Sequence, residues 1–150
     1  MFRALSIAFL LFAGCMSAPK NVPPLDLTGS GWTTRQGQVT WQRKRNAAEI
    51  SGDLLVAINQ NHSSFVRFSK DPFTIVNAQT NPDRWNIDFG DKYYFHGAGH
   101  GPSRLIWLHI PEILLASHAP PAGWEMTNTT AQTTLLQNHK SGERVEIFLP

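Results

Sequence analysis

Arg84-Trp85-Asn86-Ile87-Asp88-Phe89 alternates polar and apolar side chains along its whole length and runs into Gly90-Asp91. In an extended chain neighbouring side chains point to opposite faces, so Trp85, Ile87 and Phe89 share one face and Arg84, Asn86 and Asp88 the other. The stretch predicts a half-buried strand closed by a turn. Working outward, Gln38-Val39-Thr40-Trp41-Gln42 has the same period, and so does Arg144-Val145-Glu146-Ile147-Phe148-Leu149 behind a Ser141-Gly142 turn. Segments 47–58, 64–70, 73–79, 92–96, 124–130 and 133–138 carry weaker versions of the pattern. A spacing of about ten residues between such segments is that of an all-β barrel or sandwich. The expected fold is therefore mainly β, a strongly curved antiparallel sheet or incomplete β-barrel over residues 32–150.

One segment breaks the period. Between Ser103 and Ser117, Leu105, Ile106, Leu108, Ile110, Ile113, Leu114 and Leu115 fall at helical as well as strand spacings. Proline fits the first turn of a helix and disfavours helix in the residue before it, so Pro111 opens a short helix over 111–117, which Pro120-Pro121 stops. Residues 103–109 lean towards a further helical turn, with a strand as the alternative.

The chain has 150 residues, a formal net charge of +2 and a single cysteine. That length holds one domain with a core of its own. One cysteine excludes an internal disulfide, a redox pair and cysteine-rich zinc sites, and near-neutral charge argues against a nucleic-acid partner held through phosphates. The N-terminus reads as an address. Arg3 supplies a positive start, residues 4–12 are apolar except for Ser6, and Ala13-Gly14 precede Cys15. The apolar run is about half of the roughly 20 residues that a membrane-spanning helix needs, so it is read as a secretory signal over 1–14. Residues 15–31 hold three prolines and two glycines without periodicity and read as an anchor and tether.

Cys15 directly after Ala-Gly resembles the lipobox of bacterial lipoproteins, with Phe12 where leucine is usual. The resemblance implies acylation of the Cys15 thiol, cleavage before it and attachment to the membrane, where two or more acyl chains hold a protein firmly. Met16 and Ser17 follow without an acidic residue, which in enteric-type sorting implies the outer membrane, facing the periplasm. The alternative is an ordinary cleaved signal in which Cys15 is incidental.

Chemistry-bearing clusters are sparse. His96 and His100 have a helical spacing, but Gly97 and Gly99 between them oppose a helix, and His62, His109, His118 and His139 are scattered. No metal is expected, and neither is a cofactor. Gly97-Ala98-Gly99-His100-Gly101-Pro102 lacks the ending of a phosphate loop and reads as a strand-to-helix turn. Ser63-Ser64 and Ser117-His118 have no nucleophile-elbow context. A non-enzymatic protein is expected; an enzyme would require His96, His100 and Arg104 to converge.

The real excess is aromatic. Large rings on a curved sheet either interdigitate into a dry core or line a groove for an apolar ligand. On the second reading Trp41, Phe68, Phe73, Trp85, Ile87 and Phe89 are cavity walls, with Leu105, Ile106, Leu108, Ile113 and Leu114 as lid contacts. On the first, the protein is a structural or assembly lipoprotein with a filled core and a protein partner.

Ser64-Phe65-Val66-Arg67-Phe68-Ser69-Lys70 with Pro72-Phe73, then Trp85 to Phe89, Gly97-x-Gly99 with Pro102-x-Arg104, Trp107-Leu108, and Asn138 with Ser141-Gly142-Glu143 together resemble the LolB-like outer-membrane lipoproteins. The resemblance spans most of residues 32–150. It implies an incomplete barrel closed on one side by short helices, with an apolar cavity for acyl chains of lipoproteins or other amphiphiles, and a periplasmic carrier protein as partner. The family's lipoprotein acceptor carries an exposed apolar side chain on a protruding turn. Here the equivalent turn, Gln60-Asn61-His62-Ser63-Ser64, is polar, which argues against insertion of lipoproteins into the membrane.

Overall fold

The computed structural model describes residues 22–150. The expected signal peptide, Cys15 and the first part of the tether lie outside the described residues. Strands β1 (Trp32–Gln42), β2 (Glu49–Asn59), β3 (Ser64–Lys70), β4 (Phe73–Thr80), β5 (Arg84–Phe89) and β6 (Tyr93–Ala98) form a meander, and β7 (Glu125–Asn128), β8 (Thr133–Gln137) and β9 (Arg144–Phe148) form a second. β9 pairs with β1, which joins both into one antiparallel sheet in the order β6-β5-β4-β3-β2-β1-β9-β8-β7. The sheet does not close, since β6 and β7 are its two free edges. Helix α1 (Ile110–Leu115) and a 3-10 turn over Ile106–Leu108 lie in the connection from one free edge to the other.

The two-residue period of the sequence is what gives the sheet an inside. Val39 and Trp41, Leu54 and Val56, Val66 and Phe68, Val76 and Ala78, Ile87, Leu136, and Val145 and Ile147 are all buried. Cross-strand partners such as Val66, Ala78 and Ile87 stand on the same side. Ile106, Trp107, Leu108, Ile110 and Ile113 of the connection pack into the same cluster. The insert thus covers the inner face that the strands leave bare.

The sheet bends sharply. In a flat sheet, four spacings of about 4.8 Å would hold β1 and β5 about 19 Å apart. The rings of Trp41 on β1 and Phe89 on β5 instead stack with centroids 5.9 Å apart and planes at 23°. Two glycines sit where strands approach too closely for a side chain: a Cβ at Gly37 would overlap the carbonyl oxygen of Phe148, and one at Gly52 that of Ser69. Glycine inside a strand marks such close approaches. A register irregularity at Phe68/Ser69 adds to the local bend.

The connection follows its proline. The backbone N–H groups of Leu108 and His109 donate to the carbonyls of Leu105 (3.1 Å) and Ile106 (2.8 Å), a 3-10 pattern. Pro111 has no N–H to return to the Trp107 carbonyl, so a continuous α-helix from residue 103 is excluded. Pro111 instead lies in the first turn of α1, which starts one residue earlier and stops two residues sooner than the sequence predicts. Ser117 ends it in the left-handed region at φ 56°, with the N–H groups of Ala116 and His118 both turned onto the Glu112 carbonyl at 3.1 Å. The indole N–H of buried Trp124 then donates to the Ser103 carbonyl (2.9 Å), tying the return to the start of the insert.

The outer face has one buried spot. Ala57 and Phe65 are cross-strand partners that are buried yet stand apart from the main core cluster. Gln79, paired with Phe65, donates from its amide to the Val22 carbonyl (3.1 Å), and Val22 is itself buried. The chain is therefore held against the sheet at Val22, ten residues before β1 begins.

Candidate apolar cleft

Most of the inner face is filled by the protein's own rings. Trp107, from the 3-10 turn, stacks on Phe68 with centroids 5.5 Å apart and planes 9° from parallel. Trp41 meets Trp107 edge-on at 5.3 Å and Phe68 edge-on at 6.4 Å. What stays open is a cleft of about 330 Å³ beside this group. β1 and the residues after it supply Trp41 and Arg43, β5 supplies Phe89, and β6 supplies Tyr93 and Phe95. The insert adds Arg104, Leu105 and Trp107, and the β8–β9 turn adds Glu143. Such a volume is at the small end of the roughly 300–1,000 Å³ of ligand clefts.

The aromatic side of the mouth is wet. Tyr93 is 55% and Phe95 43% exposed, although both stand on the inner face as continuations of Phe89 across the Gly90–Lys92 turn. Phe95 meets Phe89 edge-on at 6.3 Å. β6 is one of the two free edges, so no further strand shields these rings. Apolar surface exposed as one contiguous patch of several hundred Å² is a common feature of interaction sites.

Three charges share the cleft. Glu143 accepts a hydrogen bond of 2.9 Å from the Trp41 indole N–H. Burial pushes its carboxyl above the usual 4.5, while the Trp41 bond and the Arg43 charge pull it back. The Arg43 guanidinium lies 5.5 Å from the centroid of the Trp41 ring, within cation–π range. Arg104 is exposed and makes no hydrogen bond or ion pair among the described residues.

Of the expected wall residues, Trp41 and Phe89 line the cleft. Phe68 and Ile87 are fully buried in the core, Trp85 is half-buried against it, and Phe73 is 69% exposed at the start of β4 and does not line the cleft. Of the expected lid residues, Leu105 lines the cleft; Ile106, Leu108 and Ile113 are core, and Leu114 is half-buried against it. Tyr93, Phe95, Trp107, Arg43, Arg104 and Glu143 were missing from the expected set. The two β6 rings follow from the hairpin register, since Phe89 pairs with Tyr93 and the alternation then continues to Phe95.

His96, His100 and Arg104 do not meet. Arg104 lines the apolar cleft, whereas His100 borders a separate polar hollow of about 70 Å³ with His62, His109 and Glu112. His96 stands on the other face of β6, beside Tyr94 with ring centroids 5.7 Å apart. No group of three His, Cys, Asp or Glu side chains is placed to hold a metal ion among the described residues. No helix among the described residues is long and apolar enough to cross a membrane. The chain matches no protein-family model and no curated protein.

Proposed function

We propose that this protein is a non-enzymatic, membrane-tethered binder of amphiphiles, anchored through an acylated Cys15 to the outer membrane and facing the periplasm. Its cleft takes an acyl chain, of a lipoprotein or of another amphiphile, against Trp41, Phe89, Phe95, Leu105 and Trp107. The observation that carries this reading is an open cleft on the inner face of a bent sheet, walled by the buried indoles of Trp41 and Trp107, half-buried Phe89 and the exposed rings of Tyr93 and Phe95. Burying one methylene contributes about 0.8 kcal/mol, so ten contribute about 8 kcal/mol, from which the cost of ordering and localising the chain is subtracted before any affinity remains. The order of elements and the resemblance to LolB-like lipoproteins support a place in outer-membrane lipoprotein localisation, with a periplasmic carrier protein as partner. The polar turn at Gln60 to Ser64 speaks for holding a chain rather than driving it into a bilayer.

A second reading, a structural or assembly lipoprotein that works through a protein partner, draws support from the rings that fill most of the interior. Displacement of a fluorescent dodecyl probe by unlabelled dodecanol on the full chain separates the two. Saturable, competitive binding supports the amphiphile reading; no saturable binding by a folded chain overturns it and leaves the structural one.

A further inference from the structure

The cleft is apolar in its walls but not neutral at its rim. Its three charged residues are Arg43, Arg104 and Glu143. Glu143 is engaged by the Trp41 indole at 2.9 Å and lies in the field of Arg43, whose own guanidinium rests on the Trp41 ring. Arg104, by contrast, offers five N–H donors with no acceptor among the described residues. It immediately precedes Leu105, an apolar lining residue, so a cation without a partner is one residue along the chain from the greasy wall. A guanidinium grips a carboxylate or phosphate through two parallel hydrogen bonds, which adds direction to its charge. The cleft volume is close to the lower limit for small-molecule sites, which fits one chain better than the two or three of a diacyl lipid or a triacylated lipoprotein.

Resting on the amphiphile reading and narrowing it, we infer that the ligand is a single-chain anionic amphiphile, a fatty-acid carboxylate, whose chain lies along the rings and whose head group is held by Arg104. Arg43 offsets the charge of Glu143 on the Trp41 side of the cleft, which leaves Arg104 as the cation that decides the preference. A neutral amphiphile of equal chain length has the same apolar contacts and leaves Arg104 unpaired.

The test compares dodecanoate with dodecanol on the full chain in detergent-free buffer, by displacement of a neutral fluorescent dodecyl probe. The expected result is a preference for the acid of about fivefold or more at low salt, shrinking as salt screens the rim. In Arg104→Gln the acid-over-alcohol ratio falls about fivefold, while Arg104→Lys, which keeps the charge but not the fork, retains part of it. Equal affinity for acid and alcohol in the wild type, or a ratio unmoved in Arg104→Gln, overturns the carboxylate assignment and leaves amphiphile binding standing. Failure of both ligands to displace the probe, or of the probe to bind, overturns both. Inorganic phosphate and dipalmitoylphosphatidic acid vesicles serve as further competitors. Displacement by phosphate alone, or by the vesicles more strongly than by dodecanoate, also rejects the fatty-acid assignment.

Discussion

Trp107 lies flat on Phe68, with ring centroids 5.5 Å apart and planes within 9° of parallel. One ring belongs to the connection between the two free edges and the other to β3, near the middle of the sheet. Both are almost fully buried. The stack therefore fixes the position of the insert over the inner face, and Leu105 and Arg104 reach the cleft because Trp107 is held there.

Removing the lower ring should be expensive. Phe68→Ala deletes a buried aromatic side chain under Trp107 and Trp41, which costs about 3–5 kcal/mol through lost transfer energy and a residual cavity. Urea unfolding of the two proteins measures this. A loss below about 1 kcal/mol would mean that the insert is not seated by this stack.

Glu143 predicts a pH dependence with a definite sign. Burial raises its carboxyl in the folded state above the usual 4.5, so between that value and the raised one the native state binds more proton than the unfolded chain. Native stability is therefore lost as pH rises through this window, and the penalty is fully present above it. Glu143→Gln keeps an acceptor for the Trp41 N–H and cannot ionise. Its melting temperature should gain on the wild type as pH rises from about 4.5 and then level off. A difference that stays constant, or grows in the opposite direction, contradicts the burial assigned to this carboxyl.

Gly52, like Gly37, sits where the neighbouring strand leaves no room for a side chain. Its missing Cβ makes room for the Ser69 carbonyl and the Phe68 ring on the neighbouring strand. Backbone cannot move aside as a side chain does, so Gly52→Ala should destabilise by about 1–3 kcal/mol, read as a lowered denaturation midpoint. A neutral result would show that β2 and β3 can separate locally without cost.

Leu105 and Phe73 are both apolar and should behave oppositely. Leu105 lines the cleft, whereas Phe73 stands exposed outside it. Leu105→Glu puts a carboxylate against the acyl chain and should weaken dodecanol binding at least tenfold. Phe73→Ser should leave the affinity within a factor of two. Comparable losses in both would place the chain somewhere other than this cleft.

How far the sequence reveals this molecule depends on the range of the interactions. Arg84 to Phe89 is a strand because alternation is local, and Pro111 marks the helix start because its ring acts within one turn. β1 is longer than its alternation suggests: Gly37 interrupts the pattern, but pairing with β2 carries the strand back to Trp32. The cleft was legible only in part, since Trp41 and Phe89 stand four strands apart in order and meet through the bend of the whole sheet. The same bend draws Phe68 and Ile87 into solid core, although their alternation is indistinguishable from that of the wall residues. Glu143 reaches the cleft from a turn, where no periodicity points to a face.

The central claim is that an apolar chain lies against the rings of this cleft. A dodecanol brominated near its methyl end tests it most directly, because bromine quenches tryptophan fluorescence only at close range and Trp41 and Trp107 both line the site. The account predicts saturable quenching of the full chain that unbrominated dodecanol reverses and that is strongly reduced in Leu105→Glu. Quenching that rises linearly without saturation, or that is the same in Leu105→Glu, would contradict it.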